Sequence, residues 1–331
     1  MSGLAGADPA ASVVHLTTSG GRRVVAAAEV GALFARLSDP AEPTVWVHGE
    51  MSDDLLVPLE ALGLHEVAVK SLRDGPERPR VEEYADHLYV SLFAARVPAE
   101  GGTSELEELR VFVGPRWLIS LGRLDGADLE GLQSLVERQV FARSRSAGFV
   151  LYYLAEWTVG SLNPVLDDLD ERVDGLEDLV VLSTADAARQ ELFRLKRDVV
   201  DLRRRVAPMR DVMQRLSSHG VAFIDESSGV YFRDVHDDVL LVIEQLDTYR
   251  DILSSALDLH LSNISNRLNQ VMKTLTVVAT LFMPVTFITG FWGQNFARLP
   301  VQSDFWFWLM IASVAGAFGG MLAYFWRKGW L

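Results

Sequence analysis

The hydrophobic and polar positions divide the chain into a mixed first part and a helical second part, dominated by one long element. From Tyr231 to Trp292 no Pro interrupts the pattern before Pro284 and no Gly before Gly290. This predicts one helix of roughly 60 residues, about 90 Å long at about 1.5 Å per residue. Its first half is charged and amphipathic, carrying Asp234, Asp237, Asp238, Glu244, Asp247, Arg250, Asp251 and Asp258. Its second half, Leu275 to Trp292, is apolar and long enough to cross a hydrocarbon core. A helix that begins in water and ends in lipid can carry a cytosolic event into a membrane. A second apolar run, Phe305 to Trp326, follows a short linker, so the two runs predict a C-terminal transmembrane hairpin. Aromatic residues crowd the ends of the second run, where interface anchors belong.

One face of the long helix differs from the rest. At three-and-four spacing it reads Asp258, Ser262, Ser265, Asn269, Met272, Thr276, Ala279, Met283, Thr286 and Gly290. Every member is small, polar or a thioether, while the other faces carry Leu, Ile, Val and Phe. A stripe of this kind suits tight packing of helices through small residues. It equally suits a water-filled lumen lined by hydroxyls and amides. In the second run Ala315, Gly316, Gly319 and Gly320 permit close approach of another helix.

Upstream, residues 1–12 read as a disordered tail with no basic and apolar leader. Residues 13–146 read as a cytosolic α/β domain. Strands are expected at Thr44–His48, Val81–Tyr84, His87–Ala95, Leu106–Val113 and Trp117–Leu121. Helices are expected at Asp53–Leu62, His65–Leu72 and Leu129–Arg143. Ser19-Gly20-Gly21 lacks the strand–loop–helix setting of a phosphate loop. His15, His48, His65 and His87 lack metal-ligand spacing. Residues 147–218 form a helical hairpin, with one helix over Phe149–Leu182 and another over Asp186–Leu216. The first has an acidic face (Asp167, Asp168, Asp170, Glu171, Asp174, Glu177, Asp178) and the second is basic (Arg189, Arg194, Lys196, Arg197, Arg203, Arg204, Arg205, Arg210, Arg215). Charge complementarity across the hairpin is the expectation. The stalk and first span occupy 228–292, the external loop 293–304, the second span 305–326 and a basic tail 327–331.

Net charge is −14, which argues against nucleic acid as a partner. The chain has no Cys, so it holds neither a disulfide nor a thiolate metal site. No nucleophile–base set appears, so the chain does not read as an enzyme, and no cofactor is expected. Arg267 and Lys273 precede the first span and Arg327 and Lys328 follow the second, whereas the linker holds only Arg298 and Asp304. The positive-inside rule places both termini in the cytoplasm and the linker outside the cell membrane.

At Pro284–Asn295 the chain reads Pro-Val-Thr-Phe-Ile-Thr-Gly-Phe-Trp-Gly-Gln-Asn. This resembles the CorA family of divalent metal transporters, whose signature is Gly-Met-Asn at the outer end of the first of two C-terminal spans. The resemblance extends to Tyr231–Val235, Ser265–Met272, Arg78–Glu82 and Arg327–Leu331, and so covers most of the chain. It implies a funnel-shaped homo-pentamer in the lipid bilayer, with an α+β cytosolic domain, a long stalk helix and the pore lined by the first span. The transported species would be a divalent cation, Mg²⁺ first, with Zn²⁺, Co²⁺ or Ni²⁺, with or without coupling to protons, as alternatives within the superfamily. Gly293, Gln294 and Asn295 would form the entrance. Asn269, Met272, Thr276, Met283, Thr286 and Gly290 would line the pore, and Asp258 with Met272 would form the cytosolic gate. Asn295 and Asn269 would meet the metal through its water shell.

Three departures stand out. Gln294 replaces the family's Met. Ala297, Arg298 and Val301 replace an outer loop that is often acidic. Lys70-Ser71 stands where the family's regulatory site carries Glu-Asp to face the aspartate matching Asp234. A basic residue such as Lys70 is therefore expected to stand in for the regulatory metal at Asp234. A membrane-anchored scaffold or sensor without flux is the other functional class; it explains the stalk and hairpin but not the polar stripe.

Overall fold

The computed structural model describes residues 13–26, 29–30, 44–52, 55, 59, 62–73, 78–96, 105–143, 145–182, 186–294 and 303–330. The expected tail at 1–12 and most of the expected helix Asp53–Leu62 lie outside them. Two compact units divide the chain: Met1–Asp178 with Gln190–Ser254, and Leu179–Arg189 with Ser255–Leu331.

The first unit is built on a seven-stranded sheet. Its strands are β1 (Val13–Thr18), β2 (Gly21–Ala26), β3 (Val45–Gly49), β4 (Arg80–Glu83), β5 (Leu88–Arg96), β6 (Glu105–Val113) and β7 (Trp117–Leu121). Their spatial order is β2-β1-β3-β7-β6-β5-β4, with β3–β7 parallel and the other pairs antiparallel. β5, up to Ala95, and β7 are buried on both faces and largely apolar, because both faces are covered. On one side α1 (Glu66–Arg73) sets Ala68, Val69 and Leu72 against Val47, Tyr89, Phe112 and Ile119. On the other lie α2 (Gly126–Gln139) and α3 (Ala147–Gly160). Two buried polar side chains of the sheet share one partner: Trp46 Nε1 donates to Ser120 Oγ at 2.9 Å, and His48 Nδ1 lies 2.9 Å from the same oxygen. Burial, helped by neighbouring His15, pushes the His48 pKa down to about 3, so the ring stays neutral.

The β1–β2 hairpin explains Ser19-Gly20-Gly21. Thr18 pairs with Gly21, and Gly21 has a φ of 108°, a conformation that favours glycine. The triplet is a strand–turn–strand element, not a phosphate loop.

The helix expected over Phe149–Leu182 is two helices, α3 and α4 (Asn163–Leu182). Pro164 has no N–H to return to Gly160, so an unbroken helix loses a bond there, whereas Pro is accommodated in a first turn. Ser161 fills the break. It donates to Thr158 O at 2.6 Å and accepts from Ala95 N at 2.8 Å.

α5 (Asp186–Leu216) follows, then the short α6 (Glu226–Gly229) and the long α7 (Tyr231–Trp292). Among the described residues, one contact between α4 and α5 places the base on α4: Arg172 meets Glu191 at 3.6 Å and Asp198 at 3.4 Å. The basic α5 turns Arg203 to Asp247 of α7, in a two-pronged contact of 2.7 and 3.0 Å. That contact holds the Asp247 pKa below the ordinary carboxylate value. Lys196 adds a bond to Ser254 Oγ at 2.9 Å.

Candidate ion pathway

In the second unit, the apolar half of α7 packs on α8 (Asp304–Arg327). Val277 and Leu281 meet Phe325 and Met321. Trp292 and Trp306 stand 5.7 Å apart at one end. At the other end the chain turns after α8: Gly329 has a φ of 66°, and Trp330 N donates to Phe325 O at 3.0 Å. This Gly-terminated helix end satisfies late carbonyls. It folds Trp330 onto Phe325, with stacked rings 5.7 Å apart. Lys273 of α7 closes the clasp, donating to Gly329 O at 3.0 Å with its ammonium 5.6 Å from the Trp330 ring centre. The signal for this clasp, a Gly-Trp pair just beyond an apolar helix, stands in the sequence, but its partner Lys273 does not announce itself.

The covered face of α7 thus runs through Lys273, Val277, Leu281 and Trp292. At about 100° per residue the small-and-polar stripe is centred roughly 150° away from it. Asp258, Ser262, Ser265, Asn269, Met272, Thr276, Ala279, Met283, Thr286 and Gly290 are all exposed. Met272 is 58% and Met283 72% exposed, so neither thioether fills the hairpin's own core. Tight packing within the hairpin therefore does not account for the stripe. The small residues of α8 are also open: a Cβ added at Gly316, Gly319 or Gly320 would meet nothing within 4 Å.

The stripe's hydroxyls have a fixed polarity. Thr276 Oγ1 donates to Met272 O at 2.7 Å, and Thr286 Oγ1 donates to Phe282 O at 2.9 Å. With their protons committed to the helix, both present oxygen lone pairs outward. A hydrated cation presents water hydrogens outward, and acceptors are what those hydrogens require. Pro284 lies inside α7 and returns no N–H to Thr280, which frees one carbonyl of the span.

α7 ends at Trp292, with Gly293 N bonded to Thr289 O at 2.9 Å and Gln294 N to Phe291 O at 3.3 Å. A Cβ on Gly293 would stand 3.1 Å from Thr289 O, so close approach explains this glycine. Gly293 and Gln294 are exposed; Asn295, with Ala297, Arg298 and Val301, lies outside the described residues.

The expected regulatory residues lie in the first unit. Asp234 is exposed in the first turn of α7, followed by Asp237 and Asp238. Burial and the charges of Asp234 and Asp237 hold the Asp238 pKa above the ordinary carboxylate value. Lys70 is exposed on α1, whereas Ser71 is buried and donates to Ala68 O at 2.7 Å. Among the described residues no hydrogen bond or ion pair joins Lys70 to Asp234, and no three His, Cys, Asp or Glu side chains stand ready to hold a metal.

An α/β domain, a long helix passing from charged to apolar, and a two-helix C-terminal hairpin with an outward polar stripe define a membrane transporter rather than an enzyme. The family described as CorA-like Mg²⁺ transporter protein matches residues 42–328. The chain belongs to this family. It is similar to the cobalt/magnesium transport protein CorA of Thermotoga maritima, at 29% identity over 82% of this chain and 78% of the relative. It is also similar to the zinc transport protein ZntB of Pectobacterium carotovorum, at 25% identity over 77% of each chain. The complete structure of the CorA magnesium transporter from Methanocaldococcus jannaschii superposes with a TM-score of 0.80. That match covers 98% of this chain and 100% of the other, at 23% identity.

Proposed function

We propose that this chain carries divalent cations, Mg²⁺ first, through a homo-pentameric pore lined by the second half of α7. The observation that carries the reading is the stripe turned away from α8 and exposed along its whole length. Two spans per chain cannot enclose a lumen, so a lumen lined by this stripe needs several copies. Gly293, Gln294 and Asn295 form the mouth, with Asn295 and the Gly293 carbonyl meeting the hydrated ion. Below them Gly290, Thr286, Met283, Thr276, Met272 and Asn269 line the path, and Asp258 with Met272 narrows its cytosolic end. Mg²⁺ sheds water reluctantly. Rings of neutral oxygens hold its water shell without trapping it, and the thioether rings of Met272 and Met283 can close by dewetting. Both termini lie in the cytoplasm and the loop after α7 lies outside the cell membrane.

Gln294 and the zinc-transporting relatives support a second reading, in which Zn²⁺, or Co²⁺ or Ni²⁺, is the main cargo. Uptake of the four ions into liposomes carrying the purified protein, with and without a pH gradient, separates the readings. Mg²⁺ uptake independent of the gradient supports the first; gradient-dependent Zn²⁺ uptake with no Mg²⁺ uptake replaces it. Asn295→Ala is expected to abolish uptake while the protein stays folded. Asn295→Gly should do the same, whereas full transport by Asn295→Gly would reduce Asn295 to a helix-terminating residue.

A further inference from the structure

Charge divides along the membrane hairpin. From Lys273 onward the charged residues among those described are Lys273, Arg327 and Lys328 at the clasp end and Asp304 at the other. Positive charge is thus gathered at one end of the spans, in a chain whose net charge is −14. The same end carries an aromatic belt. Trp326 is 76% exposed and Tyr324 is open with it, so both rings face outward, while Phe325 between them is buried. Rings of this kind collect at the membrane–water boundary, at the level of the lipid headgroups.

Of these cations Lys273 is spent, on Gly329 O and the Trp330 ring. Arg327 and Lys328 are not. A basic residue in the last turn of a helix often bonds the late carbonyls, but here the backbone takes them. Lys328 N donates to Tyr324 O at 3.1 Å, Gly329 N to Trp326 O at 3.0 Å and Trp330 N to Phe325 O at 3.0 Å. Both basic side chains are exposed, and among the described residues neither makes an ion pair or a side-chain hydrogen bond. Tyr324 lies three residues before Arg327 and four before Lys328, so the three side chains share one surface of the helix end. The clasp fixes the chain just beyond them. Two uncommitted cations therefore stand above an exposed ring at headgroup depth.

We propose that this end of the hairpin docks an anionic phospholipid, with its phosphate against Arg327 and Lys328 and its acyl chains beside Tyr324. The guanidinium fork matches phosphate oxygens two at a time, and the ammonium adds a point charge. The long stems of both side chains lie along apolar surface while their heads reach the headgroup layer. A zwitterionic headgroup offers these two cations no net charge, so the site favours phosphatidylglycerol over phosphatidylcholine. That the leaflet is the cytoplasmic one rests on the proposed topology, whereas the binding itself does not.

The test is native mass spectrometry of the purified full-length protein in detergent micelles doped with phosphatidylglycerol or with phosphatidylcholine of the same acyl chains. Preferential retention of phosphatidylglycerol is expected. Lys328→Gln should reduce the preference about fivefold, the equivalent of about 1 kcal/mol for one basic residue at an anionic surface. Arg327→Gln combined with Lys328→Gln should reduce it further, and Lys328→Arg should preserve it. These variants keep the backbone bonds that end α8, so the hairpin stays folded. Equal retention of the two lipids by the wild type overturns the proposal. A preference unchanged in the double variant overturns it as well, and if that variant also falls into smaller assemblies the two cations belong to a contact between copies. Displacement of the lipid by an excess of glycerol phosphate would assign the site to a soluble anion and overturn it too.

Discussion

A threonine that donates its proton to its own helix presents only acceptor oxygen to whatever lies beyond. Thr276 and Thr286 are in that state, and so are suited to the outward hydrogens of a hydrated cation. Thr276→Val keeps the shape and removes the acceptor. It should lower flux roughly 3- to 10-fold, the worth of about 1 kcal/mol for one hydrogen bond, with assembly unchanged in size-exclusion analysis. Unaltered flux would remove Thr276 from the pathway. His48 makes a different kind of prediction. Its folded-state pKa is depressed from 6.5 to about 3, so between those values the unfolded chain takes up a proton that the folded chain refuses. Its contribution is complete above pH 6.5 and is lost as pH falls, at up to about 1.4 kcal/mol per pH unit. Thermal melting at pH 7 and pH 5 should show this loss, and His48→Gln should flatten it. An identical fall in the variant would assign the effect elsewhere. The stripe residues were legible from three-and-four spacing alone, because helical periodicity fixes which residues share a face. The burial of His48 was not, because it depends on Trp46 and Ser120 meeting across paired strands.

Long, strongly patterned elements could be read with little error. α7 begins and ends at the residues where its pattern does, and β7 occupies the expected Trp117–Leu121. Reading failed where a local chemical stop competes with continuing periodicity. The apolar spacing from Phe149 to Leu182 runs straight across Ser161, and only Pro164, with the Ser161–Ala95 contact from another element, breaks the helix. The basic α5 also reaches beyond its neighbour in sequence. Adjacency in sequence favours α4, but the Arg203–Asp247 contact is made with α7. Both side chains are about a third exposed (37% and 31%). Arg203→Met should therefore cost only about 0–1 kcal/mol. Asp247, with its depressed folded-state pKa, contributes above the ordinary carboxylate range and loses that contribution as pH falls through its folded value. Melting of wild type and Arg203→Met should converge in acid and separate at neutral pH. In the hairpin, Lys273→Ala removes the donor to Gly329 O and the cation over Trp330. Hydrogen exchange at the end of α8 is expected to speed up, with α2 and α3 unaffected. Equal exchange in both proteins would show that the clasp does not hold that end.

At the scale of the whole molecule, the family fixes the plan and this chain's own residues modify it. The proposed topology can be tested cleanly because the chain has no Cys. A single cysteine introduced at Gln294 should react with an impermeant maleimide from outside the cell, and one at Lys328 should not. Lys70-Ser71 is the departure from the family pattern that bears on the expected regulation. Lys70 is exposed, whereas Ser71 is buried in the first unit, where a carboxylate would be costly. The informative substitution is therefore Lys70→Glu alone. It should confer closure by millimolar Mg²⁺, read as protease protection and reduced flux, on a protein that otherwise responds weakly. Strong closure of the wild type by Mg²⁺ would contradict a role for Lys70 in replacing the metal. The central claim is that five copies enclose a cation pathway along the α7 stripe. Its most direct test is Mg²⁺ uptake into liposomes that carry the purified protein and an enclosed Mg²⁺-sensitive dye, alongside mass measurement of the same preparation. A pentamer with uptake that is abolished by Asn295→Ala is the predicted result; a monomer or dimer with no uptake of any divalent cation would contradict it.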